Sequence, residues 1–273
     1  MDSITNEIIE NYDNFDEDNR LKSAYGVLEE EHTRRLILKH IKTTPLNIYD
    51  IGAGTGHYSC WLAEAGHRIH FSDLVPKHVA IFKNRSGASK NIITIGVEDA
   101  RRLSYEDNVA DLIILNGPLY HLTDKKDRVQ VLKEAKRILK NTGRLLGFVI
   151  SRFAGLNYAL SSGEVFNNDY FEMVREEIRS GIRNNRALKN KTFVQAYFHL
   201  VQEIEAEFVE SGLIVENSFG VLGQAWETPD LETVILDSQK KERLLEVAEM
   251  MEGYPMLGSK ILTVGRKKGL PAL

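Results

Sequence analysis

The groups in this chain whose types and spacing can do chemistry are a run of glycines, the carboxylates around it and two histidines. Asp50 stands ahead of glycines at 52, 54 and 56, with Ala53 between the first two. Asp73 follows Gly56 by seventeen positions; Glu98, Asp99 and Ala100 come next, and then the string Asn116-Gly117-Pro118-Leu119-Tyr120-His121. Glycines at this density let backbone amides at a helix start approach an anion. A carboxylate such as Asp73 can accept both hydroxyls of a ribose. An imidazole of ordinary pKa, near roughly 6.5, can take the proton that a hydroxyl or ammonium group gives up as it reacts. His121 is one such imidazole and His199, in Ala196-Tyr197-Phe198-His199, is another.

These groups need elements to hold them. The apolar run ending at Ile51 reads as a short buried parallel strand. Beyond the glycines, Trp61, Leu62 and Ala65 recur at helical spacing and Gly66 stops the run. Strand, glycine turn and helix open a nucleotide-binding α/β unit. His67 to Asp73 alternates as a strand, Val79 to Arg85 makes a short helix, Asn91 to Val97 is a β-branched strand and Asp111 to Asn116 is a central one. Ligands in open α/β sheets sit beyond the carboxyl ends of the strands, which brings all these groups to one edge. A helix from Lys125 to Leu139, the turn Asn141-Thr142-Gly143 and a strand from Arg144 to Ile150 follow, with Arg152 at its ligand end.

The spacing G-x-G-x-G, with His57 where a dinucleotide fingerprint has its third glycine, resembles the first motif of the class I S-adenosylmethionine-dependent methyltransferases. The string N-G-P-L-Y-H-L, and A-Y-F-H further on, look like motifs of a family of bacterial small-molecule methyltransferases. The resemblance implies a Rossmann-like, seven-stranded, mostly parallel sheet with helices on both faces and a helical cap inserted after the fifth strand. It implies S-adenosylmethionine as cofactor: Asp50, Gly52, Ala53, Gly54 and Gly56 at its methionine end, Asp73 with Leu74 at the ribose, and Glu98, Asp99 and Ala100 at the adenine. Asn116, Gly117, Pro118, Tyr120 and His121 would then lie at the transferred methyl. The sequence departs from the family's L-K-P-G-G pattern, with Asn141 for the proline and Arg144 for the second glycine. Because the segment ahead of the first strand often folds over the cofactor in this family, Arg20, Tyr25 and Arg34 are candidates to touch cofactor or acceptor; the alternative puts them on a solvated helix.

The chain then divides into an N-terminal helical segment covering the cofactor site (1–45), a cofactor-binding core (46–154), a helical cap (155–199) and a C-terminal part of the core (200–273). Residues 1–19 are polar and are expected to be partly mobile. In the cap, Tyr170, Val174, Ile178 and Ile182 form an apolar stripe, and Arg175, Arg179, Arg183, Arg186, Lys189 and Lys191 either draw an acidic acceptor or make a solvated face. Arg152 binds an acceptor anion or pairs with an acid; Tyr197 and Trp226 wall the acceptor pocket or cover core. The last strand, Lys260 to Val264, is expected antiparallel at the sheet edge.

Composition narrows the rest. With one cysteine, Cys60, the chain can form no internal disulfide and no cysteine-cluster metal site. The acidic, polar start is unlike a signal peptide, and no apolar run approaches the roughly 18 residues of a membrane span, so the protein is expected to be cytoplasmic and not membrane-bound. A net charge of −4 speaks against a broad nucleic-acid surface and for a small-molecule acceptor, with the protein a monomer or homodimer. The reaction expected is in-line displacement at a sulfonium methyl, driven by orientation and desolvation. Tyr120, His121 and His199 are the candidates to act at the acceptor, His121 ahead of His199 as base. No metal is expected. A non-catalytic S-adenosylmethionine-binding protein remains an alternative, and a nucleotide-dependent oxidoreductase is disfavoured by the glycine spacing.

Overall fold

The computed structural model describes residues 3–42, 44–185 and 195–269. Three helices come first: α1 (Ser3–Asp13), α2 (Glu17–Lys22) and α3 (Ala24–Leu38). The core then alternates through β1 (Asn47–Ile51), α4 (His57–Glu64), β2 (Arg68–Asp73), α5 (Pro76–Ser86), β3 (Ile92–Val97) and β4 (Ala110–Asn116). A single turn, α6 (Pro118–His121), precedes α7 (Lys125–Ile138) and β5 (Leu139–Ser151). The insert holds α8 (Ala154–Ser162), α9 (Asn168–Ser180), β6 (Ile182–Asn184) and β7 (Gln195–His199). The chain closes through α10 (Val201–Glu210), β8 (Leu213–Val221), α11 (Leu231–Val234), α12 (Ser238–Met251) and β9 (Lys260–Lys267).

Strands β3-β2-β1-β4-β5 run parallel in that order. β9 is antiparallel to both β5 and β8, so it lies between them, and β8 takes the edge position that the sequence suggested for the last strand. These seven strands are the expected core. Two more extend it: β7 pairs with the last two residues of β5, beyond the point where β4 stops, and β6 returns antiparallel to β7. The insert is therefore partly a hairpin grafted on the sheet and not helical throughout.

The central strands are apolar on both faces because both faces are covered. In β4, Ile113 and Leu115 pack with α7 and α10, through Leu132, Ala135, Ile204 and Phe208. Leu112 and Ile114 face the other layer, made by Leu28, Leu36 and Ile37 of α3 with Leu245 and Ala248 of α12. Each aliphatic side chain buried this fully contributes roughly 1.5–3 kcal/mol. α7 runs directly into β5: Leu139 pairs with Ala110 and Arg144 with Leu112, so Asn141-Thr142-Gly143 is an irregularity inside the strand rather than a turn before it.

The N-terminal stretch expected to be partly mobile is helical. Its few apolar residues, Ile4 and Ile8 among charges, give a faint period, but Ile4 packs on the core and Ile8 lines a cavity. Side-chain caps start the next two helices: Asp16 accepts from the Asn19 amide and Ser23 from the Gly26 amide. In the insert, Ala159, Tyr170 and Val174 form a small separate core. Ile182, the last residue of the expected stripe, falls on β6 and is exposed. Arg175 and Arg179 pair on the surface with Glu172 and Glu176, whereas Arg183 is buried on Glu177 and the Tyr170 hydroxyl. Arg186, Lys189 and Lys191 lie outside the described residues. Among the described residues no helix is long and apolar enough to cross a membrane.

Candidate functional site

The carboxyl ends of β1, β2 and β4 open onto a cavity whose empty space, its mouth included, is about 1030 Å³. Its floor is the turn after β1. Gly52, Gly54 and Gly56 have φ of +71°, +57° and +83°, a region cheap only for glycine. A Cβ on Gly52 would stand 2.5 Å from Pro118, and one on Gly56 2.1 Å from the Phe82 ring, so these two glycines let the turn pack against α6 and α5. At Gly54 a Cβ would meet only Glu17, at 3.8 Å. Gly52 and Ala53 donate to the Ser72 carbonyl, and Gly54 donates to Asp73 Oδ2 at 2.8 Å. These turn amides are therefore held within the protein, and an anion would be left the start of α4, whose first amides have no intrahelical partner.

The carboxylates differ in what they can still accept. Asp50 is 1% exposed and, among the described residues, accepts from the Ser59 hydroxyl alone, at 2.7 Å. Burial, with the negative charge of Asp73 behind it, pushes its pKa up to about 7. Asp73 Oδ1 accepts from the Val75 amide and Nδ1 of His78 (2.8 and 3.1 Å), while Oδ2 holds the Gly54 amide and keeps one lone-pair position. His78 also lines the cavity, and its buried Nε2 has no hydrogen-bond partner among the described residues. Asp99 is gripped by Arg101, whose Nε and Nη2 reach its two oxygens at 3.1 and 2.7 Å, and Glu98 is tied to Ser104.

The far wall comes from the helices ahead of β1. Asp18 of α2 takes the Thr55 hydroxyl, Nε2 of His57 and Nη2 of Arg85, at 2.5, 3.2 and 2.5 Å. Burial alone would raise its pKa, but these donors hold it at about 2. Lys77 of α5 donates to the Tyr12 and Asp13 carbonyls at the end of α1. Arg20 lies between Glu17 and Glu29, and Glu29 also accepts from Lys260, the first residue of β9. At the β4 end, Asn116, Gly117, Pro118, Tyr120 and His121 line the cavity. His121 Nε2 lies 2.9 Å from the Tyr12 hydroxyl. Burial, helped by the charge of Lys260, pulls the His121 pKa down to about 3, so it is neutral at pH 7 and weakly basic.

Of the residues picked from sequence, Arg20, Asp50, Gly52, Ala53, Gly54, Asp73, Leu74, Glu98, Asp99, Ala100, Asn116, Gly117, Pro118, Tyr120 and His121 meet in this one cavity, whereas Gly56 packs on Phe82 and does not line it. Tyr25, Arg34, Arg152, Tyr197, His199 and Trp226 do not line it. Tyr25 bonds Ser259 and meets Trp226 edge to face, both against the layer under α3. Arg34 lies over Trp61 on an outer surface. Arg152 is anchored by the Phe198 carbonyl and Glu203. His199 is fully buried beside Glu207, which Arg128 neutralises, while Arg128 stacks 3.8 Å over Tyr197. Sequence reasoning missed Tyr12, Glu17, Glu29, His78 and Lys260, which line or support the cavity. Only His78 and Lys260 had a local signal, each being a polar residue at the ligand end of an element.

Residues 49–147 match the family described as a methyltransferase domain. This segment is a class I methyltransferase domain. Its cofactor is S-adenosylmethionine. Over 108 residues, 38% of this chain and 42% of the relative, the chain is 34% identical to a ubiquinone/menaquinone biosynthesis C-methyltransferase from Acidiphilium cryptum. The chain spans half or less of the length of the curated relatives it matches. In fold it is similar to an S-adenosylmethionine-dependent methyltransferase from Methanosarcina mazei, with a TM-score of 0.59 at 17% identity over 86% of this chain and 98% of the other. It is similar also to a cyclase, SpnF, with a TM-score of 0.56 at 14% identity over 89% of this chain and 82% of the other. Since a cyclase shares the fold, the chemistry has to be argued from the site.

The residues of the methyltransferase domain fit that cofactor. Gly54 is bare toward the cavity, and among the described residues the desolvated Asp50 carboxyl has no cation beside it and His78 Nε2, next to Asp73, has no hydrogen-bond partner. A ligand ammonium would answer the Asp50 carboxyl and a ribose hydroxyl the His78 and Asp73 corner, with Gly54 leaving room for the chain between them.

Proposed function

We propose that the protein is an S-adenosylmethionine-dependent methyltransferase acting on a small-molecule acceptor in the cytoplasm. The observation that supports this most is the convergence of the glycine turn, Asp50, Asp73 and Asp99 on one cavity that ends at a neutral, buried His121.

The bound cofactor supplies an electrophilic methyl group on a sulfonium. Asp50 would hold the ammonium of the methionine end, Asp73 the ribose and the Asp99 region the adenine. Asp99 has to share its oxygens with Arg101 to do so. α1 and α2, pinned by Lys77 and by Asp18, exclude water from the cavity. His121 Nε2 can accept a hydrogen bond from a hydroxyl or amine acceptor and so aim its lone pair. A pKa of about 3 makes His121 too weak a base to strip a free hydroxyl in advance. For a hydroxyl acceptor it suffices once the new bond to carbon forms, because the protonated ether oxygen is then strongly acidic.

Calorimetric titration tests the first half of this reading: S-adenosylhomocysteine is expected to bind and NADH not to, and heat from NADH alone would end it. Transfer of labelled methyl to an acceptor panel tests the second half. Tight cofactor binding with no transfer to any class of acceptor would favour a binding protein.

A further inference from the structure

A phenol already stands at the reactive end of the cavity. Tyr12 of α1 places its hydroxyl 2.9 Å from Nε2 of His121. Its ring meets those of His121 and His78 edge to face, at centroid distances of 5.4 and 5.0 Å, and that of Phe15 at 6.1 Å. The wall around this position is thus one that already accepts a hydroxylated aromatic ring: edges for its faces and an imidazole for its oxygen.

The same pair borders a second space. Tyr12 and His121, with Ile4, Ile8, Asn11 and Gln195, line a smaller cavity of about 300 Å³ of empty volume between α1 and β7. Tyr12 and His121 therefore stand between the cofactor cavity and an outer vestibule. Lys77 holds the backbone at Tyr12 and Asp13, so the Tyr12 side chain can swing about its own bonds while α1 stays docked.

We propose that Tyr12 is a built-in occupant of the acceptor position: a phenolic acceptor enters through the outer vestibule, displaces the Tyr12 ring and takes over its hydrogen bond to His121. The proposal rests on the methyltransferase reading above and names the substrate class for it. An acceptor of this kind competes with a tethered phenol, so its apparent affinity is reduced by the fraction of molecules in which Tyr12 still covers His121.

Binding, not turnover, is the direct test. With S-adenosylhomocysteine present, calorimetry on the full chain measures 4-methylphenol and toluene against wild type, Tyr12→Phe and Tyr12→Ala. Tyr12→Phe, which keeps the ring and so the packing, is expected to bind 4-methylphenol roughly three- to tenfold more tightly than wild type, since one competing hydrogen bond is gone. Tyr12→Ala is expected to bind it more tightly still and to prefer it to toluene about tenfold, with the preference lost in Tyr12→Ala/His121→Leu. Equal binding of phenol and toluene, or no gain in either Tyr12 variant, overturns the proposal. If S-adenosylhomocysteine binds normally in those experiments, the methyltransferase reading survives that failure; if it does not bind wild type, both readings fall together.

Discussion

Lys260 Nζ donates to Glu29 Oε1, joining the first residue of β9 to the middle of α3 along the wall of the cavity. Arg20 reaches the other oxygen of Glu29 at 3.1 Å. Burial by itself would raise the Glu29 pKa, but the charges of Lys260 and Arg20 outweigh it and hold the group at about 2. A folded-state pKa below the unfolded value of roughly 4.3 means that the stabilisation is present above that value and lost as pH falls toward 2. Glu29→Gln is therefore expected to cost about 3–5 kcal/mol at pH 7, because it leaves a buried ammonium without its partner. In urea titrations the gap from wild type should narrow on acidification toward pH 3. A gap independent of pH would mean that Glu29 acts by shape alone.

Asp50 runs the other way. Its folded pKa, about 7, lies above the unfolded value, so its stabilising contribution is full below about pH 4 and lost as pH rises through 7. Asp50→Asn should gain on wild type in melting temperature as pH goes from 4 to 7, then hold that gain. A ligand ammonium wants the ionised form. Affinity for S-adenosylhomocysteine should thus fall by up to about tenfold per pH unit below 7, with proton release on binding seen as a buffer-dependent heat.

Gly54 and Gly56 share a left-handed backbone but not a neighbourhood. Gly54→Ala should cost only about 1–2 kcal/mol of strain, since nothing but Glu17 lies near, while weakening the ligand that comes to lie there. Gly56→Ala must also displace Phe82, which stacks on Phe71 at 3.9 Å, adding about 1–3 kcal/mol of overpacking. Thermal melts beside calorimetry separate the two; equal destabilisation would contradict the packing described.

Asp18 ties α2 to the glycine turn through Thr55, His57 and Arg85. Asp18→Ala is expected to lower the melting temperature slightly, the equivalent of losing about 1 kcal/mol of hydrogen bonding, and to speed release of S-adenosylhomocysteine about three- to tenfold. Stopped-flow displacement reads this directly. An unchanged off-rate would show that α2 does not hold the ligand in.

The two histidines should separate cleanly. His121→Gln is expected to lower transfer about a hundredfold while binding cofactor as wild type does. His199→Gln, deep beside Glu207, should lower the melting temperature and leave turnover per folded molecule intact. A fall in turnover for His199→Gln without loss of stability would return that residue to the site.

The glycine turn, Asp73, Asp99 and the Asn116–His121 string were legible because each sits where a run of apolar residues ends, and a parallel sheet sends all such ends to one edge. The residues that lie away from this cavity, Tyr25, Arg34, Arg152, Tyr197, His199 and Trp226, are polar or aromatic side chains of ordinary type whose partners lie on other elements. Arg128, for example, comes from α7 to neutralise Glu207 beside His199 and to cover Tyr197. No local pattern carries that information.

By itself the sequence determined the core order of strands and helices and the edge at which the glycine turn and the carboxylates gather, since these follow from hydrophobic period and backbone permission. Tertiary structure alone decided that α1 reaches over that edge to set Tyr12 on His121, that Lys260 meets Glu29, and that the insert adds a hairpin to β5. These contacts join residues 109, 231 and 46 or more positions apart, and burial, by removing water, gives them their energy.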